Sequence, residues 1–76
     1  MKDLIKYIVR ALVDNPDDVA VIEIKGKTTT VYELHVAKGD LGQVIGRNGA
    51  TAEALRTLVS AVSSKHKKRV VLDIIE

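Results

Sequence analysis

The chain has no cysteine, no tryptophan and no phenylalanine, and only one proline. Without cysteine it can form no disulfide, no thiolate metal site and no thiol nucleophile, and it suits a reducing compartment such as the cytoplasm. Its aromatics are Tyr7 and Tyr32 alone. It also lacks long apolar runs. Near the start the longest is Tyr7-Ile8-Val9, with Lys6 and Arg10 on either side. That is far short of a secretory h-region or of the roughly 20 residues a membrane span needs. Charge of one sign is scarce as well, with a net value of +2.

What is present is aliphatic: 46% of the 76 residues are hydrophobic. A chain of this size is one domain and buries only about 60% of the surface its unfolded form exposes, so its core must pack well. The small net charge is unevenly spread. Residues 1–38 carry six basic and six acidic side chains. From Leu41 to Arg69 there are Arg47, Arg56, Lys65, Lys67, Lys68 and Arg69 against Glu53 alone, a net charge of +5. A basic stretch in an otherwise balanced domain is either a solvated helix end or the footprint of a polyanion.

The periodicities predict six elements. Leu4, Ile5, Ile8, Val9 and Leu12 fall on one face of a 3.6-residue repeat, with Asp3 as a cap and Asn15-Pro16 as the break. Two strands follow. Ala20, Ile22 and Ile24 alternate with Val21, Glu23 and Lys25; Tyr32, Leu34 and Val36 alternate with Val31, Glu33 and His35. Gly26-Lys27-Thr28-Thr29 reads as the turn of a hairpin with one buried and one more polar face. Asp40 is placed to cap a short helix containing Leu41, Val44 and Ile45, which Gly46 stops. A longer helix then runs to about Lys65, with Thr51, Leu55, Leu58, Val59 and Val62 as its stripe. A last strand alternates Val70, Leu72 and Ile74, the expected core face, with Val71, Asp73 and Ile75. The order α-β-β-α-α-β is an α+β class. Its two-helix crossover permits parallel pairing of the second and third strands, with the expected right hand. The expected architecture is a three-stranded mixed sheet with three helices on one face, in a single domain over residues 1–76.

Catalytic constellations are missing. His35 lies on a strand and His66 in a basic run, neither beside a serine–acid pair. Asp17-Asp18 suits a solvated turn better than acid–base work, and Ser60, Ser63 and Ser64 have no evident base. No metal-ligand cluster appears, so no metal, cofactor or small-molecule substrate is expected. Walker A and GxGxxG patterns are absent too.

The segment with chemistry is Gly46-Arg47-Asn48-Gly49. A GxxG pattern alone is weak, and its structural use is simply a sharp helix–helix turn. Here it joins two amphipathic helices directly after a hairpin. Glycine at both ends allows positive φ and lets another backbone come close. Between them stand a cation and an amide. The loop opens into a helix N-terminus, where free N–H groups and the helix dipole favour a phosphate.

The run Gly42-Gln43-Val44-Ile45-Gly46-Arg47-Asn48-Gly49, followed by a helix, resembles the signature of KH domains, and the element order is similar to their type II arrangement. The resemblance covers Leu4 to Ile75, and with the Asn15-Pro16 break it points to the small stand-alone bacterial proteins of the KhpA kind. It implies a clamp on about four nucleotides of single-stranded RNA. Gly46, Arg47, Asn48 and Gly49 would touch the sugar-phosphate backbone. Leu41, Val44 and Ile45 would lie on the helix forming one wall of the base groove, some of them facing the core instead. Lys67, Lys68 and Arg69, within the variable loop Lys65–Arg69, would lie on the opposite wall, and Val70 and Val71 would begin the strand whose edge can hydrogen-bond bases. The two tyrosines cannot supply an aromatic stacking platform. The resemblance further implies an RNA chaperone or regulator linked to cell elongation and division. Its implied partners are a second copy and a larger KH-containing protein of the KhpB kind, met through the long helix at Ala50, Ala54, Ser60 and Ala61. The competing reading is a protein-interaction module with a KH fold, in which RNA binding is secondary.

Overall fold

The computed structural model describes residues 1–65 and 69–75. Helix α1 spans Lys2–Leu12, strands β1 and β2 span Ala20–Lys25 and Thr29–His35, helix α2 spans Leu41–Ile45, helix α3 spans Ala50–Lys65 and strand β3 spans Arg69–Ile75. Short 3-10 turns at Pro16–Asp18, Lys38–Asp40 and Arg47–Gly49 link them. The sheet order is β1-β2-β3. β1 and β2 pair antiparallel, with Val21 opposite Leu34 and Glu23 opposite Tyr32. β2 and β3 pair parallel, with Tyr32 beside Leu72 and Leu34 beside Ile74. The two-helix crossover delivers the parallel strand as its length requires.

The core lies between the helices and one face of the sheet. α1 contributes Ile5 and Val9, α2 Val44, α3 Leu55 and Val59, and the sheet Val21, Tyr32, Leu34 and Leu72. The hydroxyl of Tyr32 donates to Glu23 Oε2 at 3.2 Å. Burial first, then that hydrogen bond and the charge of Glu23, push the Tyr32 pKa above its usual 10.

Four local expectations change. Met1, not Asp3, occupies the cap position of α1, and Asp3 lies in the first turn, where its charge suits the helix dipole. The helix ends at Leu12, before Asn15-Pro16, because Val13 is already extended. Asp40 stands at the N-cap of α2 but caps nothing with its side chain. It is 2% exposed, and its carboxylate reaches back across the fold. It accepts from the Asn15 backbone N–H at 2.9 Å, from Asn15 Nδ2 at 3.1 Å and, at a long 3.4 Å, from the Asp14 N–H. The fourth change concerns β1. By polarity Ala20, Ile22 and Ile24 are its apolar set, yet Val21 faces the core and Ile22 and Ile24 remain 47% and 48% exposed on the open face. Pairing with β2 sets this parity: Val21 is opposite buried Leu34, and Ile22 opposite Glu33.

Candidate nucleic-acid interface

α2 has five residues, too few to be stable as an isolated helix. Two attachments hold it. Val44 is fully buried, and Asp40 ties its start to the segment after α1. Gln43 Nε2 adds a bond to Asp14 Oδ2 at 3.3 Å. The short helix therefore presents the residues after it from a fixed base.

Gly46 ends α2 with φ 76° and ψ 177°, and its N–H donates to Gly42 O at 2.9 Å. A Cβ at Gly46 would lie 2.7 Å from Thr51 Cβ and 2.9 Å from Thr51 N. Asn48 (φ 56°) and Gly49 (φ 78°) are both left-handed, a conformation asparagine and glycine tolerate best. The Gly49 N–H donates to Gly46 O at 3.2 Å, closing the turn. The space beside Gly49 is open: a Cβ there would meet nothing within 4 Å. The glycines therefore differ in duty. Gly46 is needed by the protein's own packing, and Gly49 leaves room for something else.

That room continues into a hollow of about 430 Å³, lined by Leu41, Ile45, Gly49, Ala52, Arg56 and Ile74. Its walls are apolar apart from Arg56. A second hollow of about 250 Å³ lies along the α3–β3 seam, lined by Arg56, Val59, Ser60, Arg69, Val70, Val71 and Leu72. Arg56 borders both and joins them. Among the described residues, Arg10 pairs with Asp17 and His35 Nε2 lies 3.5 Å from Glu33 Oε1, and no carboxylate lies within ion-pair distance of Arg47, Arg56 or Arg69. A larger concavity of about 570 Å³ between α1 and Pro16 shares no residue with this groove.

The structure brings Leu41, Ile45 and Gly49 together at one hollow, with Arg47 and Asn48 exposed on the adjoining loop and Gly46 half-buried at its start. Val44 is the α2 residue that faces the core; at 0% exposure it cannot touch a ligand. Arg69 and Val70 line the second hollow, on the far side of Arg56. Lys67 and Lys68 lie outside the described residues. Ala52, Arg56 and Ile74 belong to the groove and escaped the motif. The spacing of 49, 52 and 56 was the available signal, since steps of three and four keep residues on one stripe of a helix.

Comparison with known proteins bears on the family of the chain. The family model described as KhpA/KhpB, KH domain, matches residues 2–74. The RNA-binding protein KhpA of Caldanaerobacter subterraneus subsp. tengcongensis is 53% identical over 75 residues, covering 99% of this chain and all of that one. Its namesake in Listeria monocytogenes is 49% identical over 76 residues, covering both chains entirely. That in Chlamydia trachomatis is 47% identical over 76 residues, covering all of this chain and 97% of the other. With the α-β-β-α-α-β order and the loop between α2 and α3, these matches show that the chain belongs to the KhpA/KhpB family of KH domains.

Proposed function

We propose that the chain binds single-stranded RNA, gripping about four nucleotides with its sugar-phosphate backbone across Gly46–Gly49 and its bases against the apolar groove. The observation that carries this reading is the open space beside Gly49, next to the groove of Leu41, Ile45, Ala52 and Ile74 and its Arg56. The relatives' names support it, since each is called an RNA-binding protein. The reading includes no catalytic step and no cofactor. It places the chain in the cytoplasm as an RNA chaperone or post-transcriptional regulator. A groove of four nucleotides selects little by itself, so selectivity comes from pairing with a second copy or with a larger KH-containing partner of the KhpB kind.

The test should spare the glycines, because Gly46 is also a packing requirement. Arg47→Asp with Asn48→Asp keeps both glycines and puts two negative charges where the phosphate would lie. The expected result is at least a tenfold loss of affinity for a short single-stranded RNA, with an unchanged circular dichroism spectrum. Unchanged affinity in a folded double variant would remove the loop from the site.

The second reading, a docking module, has its own observation. Ala50, Ala54, Ser60 and Ala61 are all exposed on α3 and would let another helix approach closely. Crosslinking of RNA in cells separates the two readings: no enrichment over background would favour docking as the main role.

A further inference from the structure

In the hollow beside Gly49 a single side chain carries polar groups. Leu41, Ile45, Ala52 and Ile74 are apolar, Gly49 has no side chain, and Arg56 brings the guanidinium. Apolar walls suit the flat face of a base. A phosphate set among them would lose its water without gaining an equivalent set of partners. What enters this hollow is therefore a base, and Arg56 meets its edge. The placement of Arg56 is fixed by α3. Ala52, four residues earlier on the same stripe, is buried and holds that turn against the core. Glu53, one turn before Arg56, lines a separate depression along α3 and makes no ion pair with it. No side-chain acceptor stands in the hollow itself.

A guanidinium is a fork of N–H donors with no acceptor and a permanent charge. Two neighbouring N–H groups ask for two neighbouring acceptors. An unpaired guanine offers them as O6 and N7, and an unpaired cytosine as O2 and N3. Adenine does not, because N1 and N7 each stand beside the N6 amino group, and donor would face donor. Uracil does not, because its two carbonyls flank the N3–H. A base of the wrong kind leaves a buried donor without a partner, which costs more than the missing bond. The neighbouring strand makes no such choice. β3 is an edge strand, and its backbone offers N–H and C=O groups alike.

We infer that Arg56 is a specificity-determining residue, and that the hollow it borders seats a base with two adjacent acceptors, guanine or cytosine, in preference to adenine or uracil. This rests on the RNA-binding reading above and assigns Arg56 to a base edge rather than to a phosphate. Arg69 keeps its place at the α3–β3 seam, beyond Arg56. One chosen base among about four is little information, so the choice of a whole RNA still falls to pairing.

The experiment is fluorescence anisotropy on the full chain with short RNAs of uridine, each carrying one central guanosine, cytidine or adenosine, and an all-uridine control. The readout is the ratio of each affinity to that of the control, which a purely electrostatic contact does not move. In wild type guanosine or cytidine should raise affinity at least about fivefold, and adenosine should not. A gain from guanosine that 7-deazaguanosine abolishes assigns the N7/O6 edge; a gain confined to cytidine assigns O2/N3. Arg56→Lys keeps the charge without the fork and should lose the gain. Arg56→Gln presents a donor beside an acceptor, so its gain should move to adenosine. Equal affinity of wild type for all four RNAs would overturn the assignment while leaving RNA binding intact. So would an Arg56→Gln variant weakened equally on every RNA with a shallower salt dependence, since that marks a phosphate contact. A folded wild type that binds none of the four would overturn both.

Discussion

Gly46 and Gly49 look equivalent as letters and are not equivalent as positions. Both have positive φ, which costs a residue with a side chain about 1–2 kcal/mol. Only Gly46 also has Thr51 in the way of a Cβ. Gly46→Ala should therefore lower stability clearly more than Gly49→Ala, by urea unfolding at equal m-value. Asp40 was legible only as a cap, because a capping residue is defined by its neighbours. Its actual partners, Asp14 and Asn15, are 25 to 26 residues away and depend on the finished fold. Asp40→Ala would strand those donors and should cost about 1–3 kcal/mol. Tyr32 gives a pH signature. Its folded-state pKa is raised, so the folded protein holds the phenolic proton more tightly than the unfolded chain does. The associated stability is complete below pH 10 and is lost as pH rises through the higher folded value. Tyr32→Phe lacks this loss, so wild type should fall relative to the variant above pH 10 in unfolding midpoints measured side by side.

At the scale of elements, alternation and the 3.6-residue repeat sufficed for order and type. They placed the hairpin, the two central helices and the core face of β3, where Leu72 is buried. They did not settle β1. Its two faces differ little in polarity, and the register with β2 decided between them. Nor did they separate Val44 from Ile45 on α2, since a five-residue helix is too short for its repeat to show a face. The loop itself was readable because its glycines and its position between helices are local features. The groove was not, because Arg56 and Ile74 reach it from separate elements. Arg56 is where this matters for binding. Arg56→Gln should leave the melting temperature within a degree or two, since the side chain is exposed and has no ion-pair partner among the described residues. It should weaken binding to single-stranded RNA several-fold. If Arg56 contacts a phosphate, the slope of log affinity against log salt should become shallower by about 0.7.

For the molecule as a whole, the Cα radius of gyration is 12.0 Å and the extents are 34 × 22 × 17 Å. So small a body offers a short track to a nucleic acid. If about four phosphates are neutralised, log affinity should fall with log salt at a slope near −3. Titrations at several salt concentrations measure this, and a slope near zero would mean that the cations are not engaged. The net charge of +2 alone would not suggest such steepness. Placement matters more: Arg47, Arg56 and Arg69 stand along one line of hollows and loop. Among the described residues no helix is long and apolar enough to cross a membrane.

The parallel pairing of β2 with β3 also governs how the protein is made. β2 is the central strand, and its second neighbour comes from the far end of the chain, after the whole crossover of residues 36–68. α2, the loop and α3 all lie within that crossover. A nascent chain can form the β1–β2 hairpin early, but the core cannot close until Leu72 has left the ribosome. The loop is framed by the same closure. A chain released only as far as α3 therefore lacks Ile74, and with it one wall of the groove.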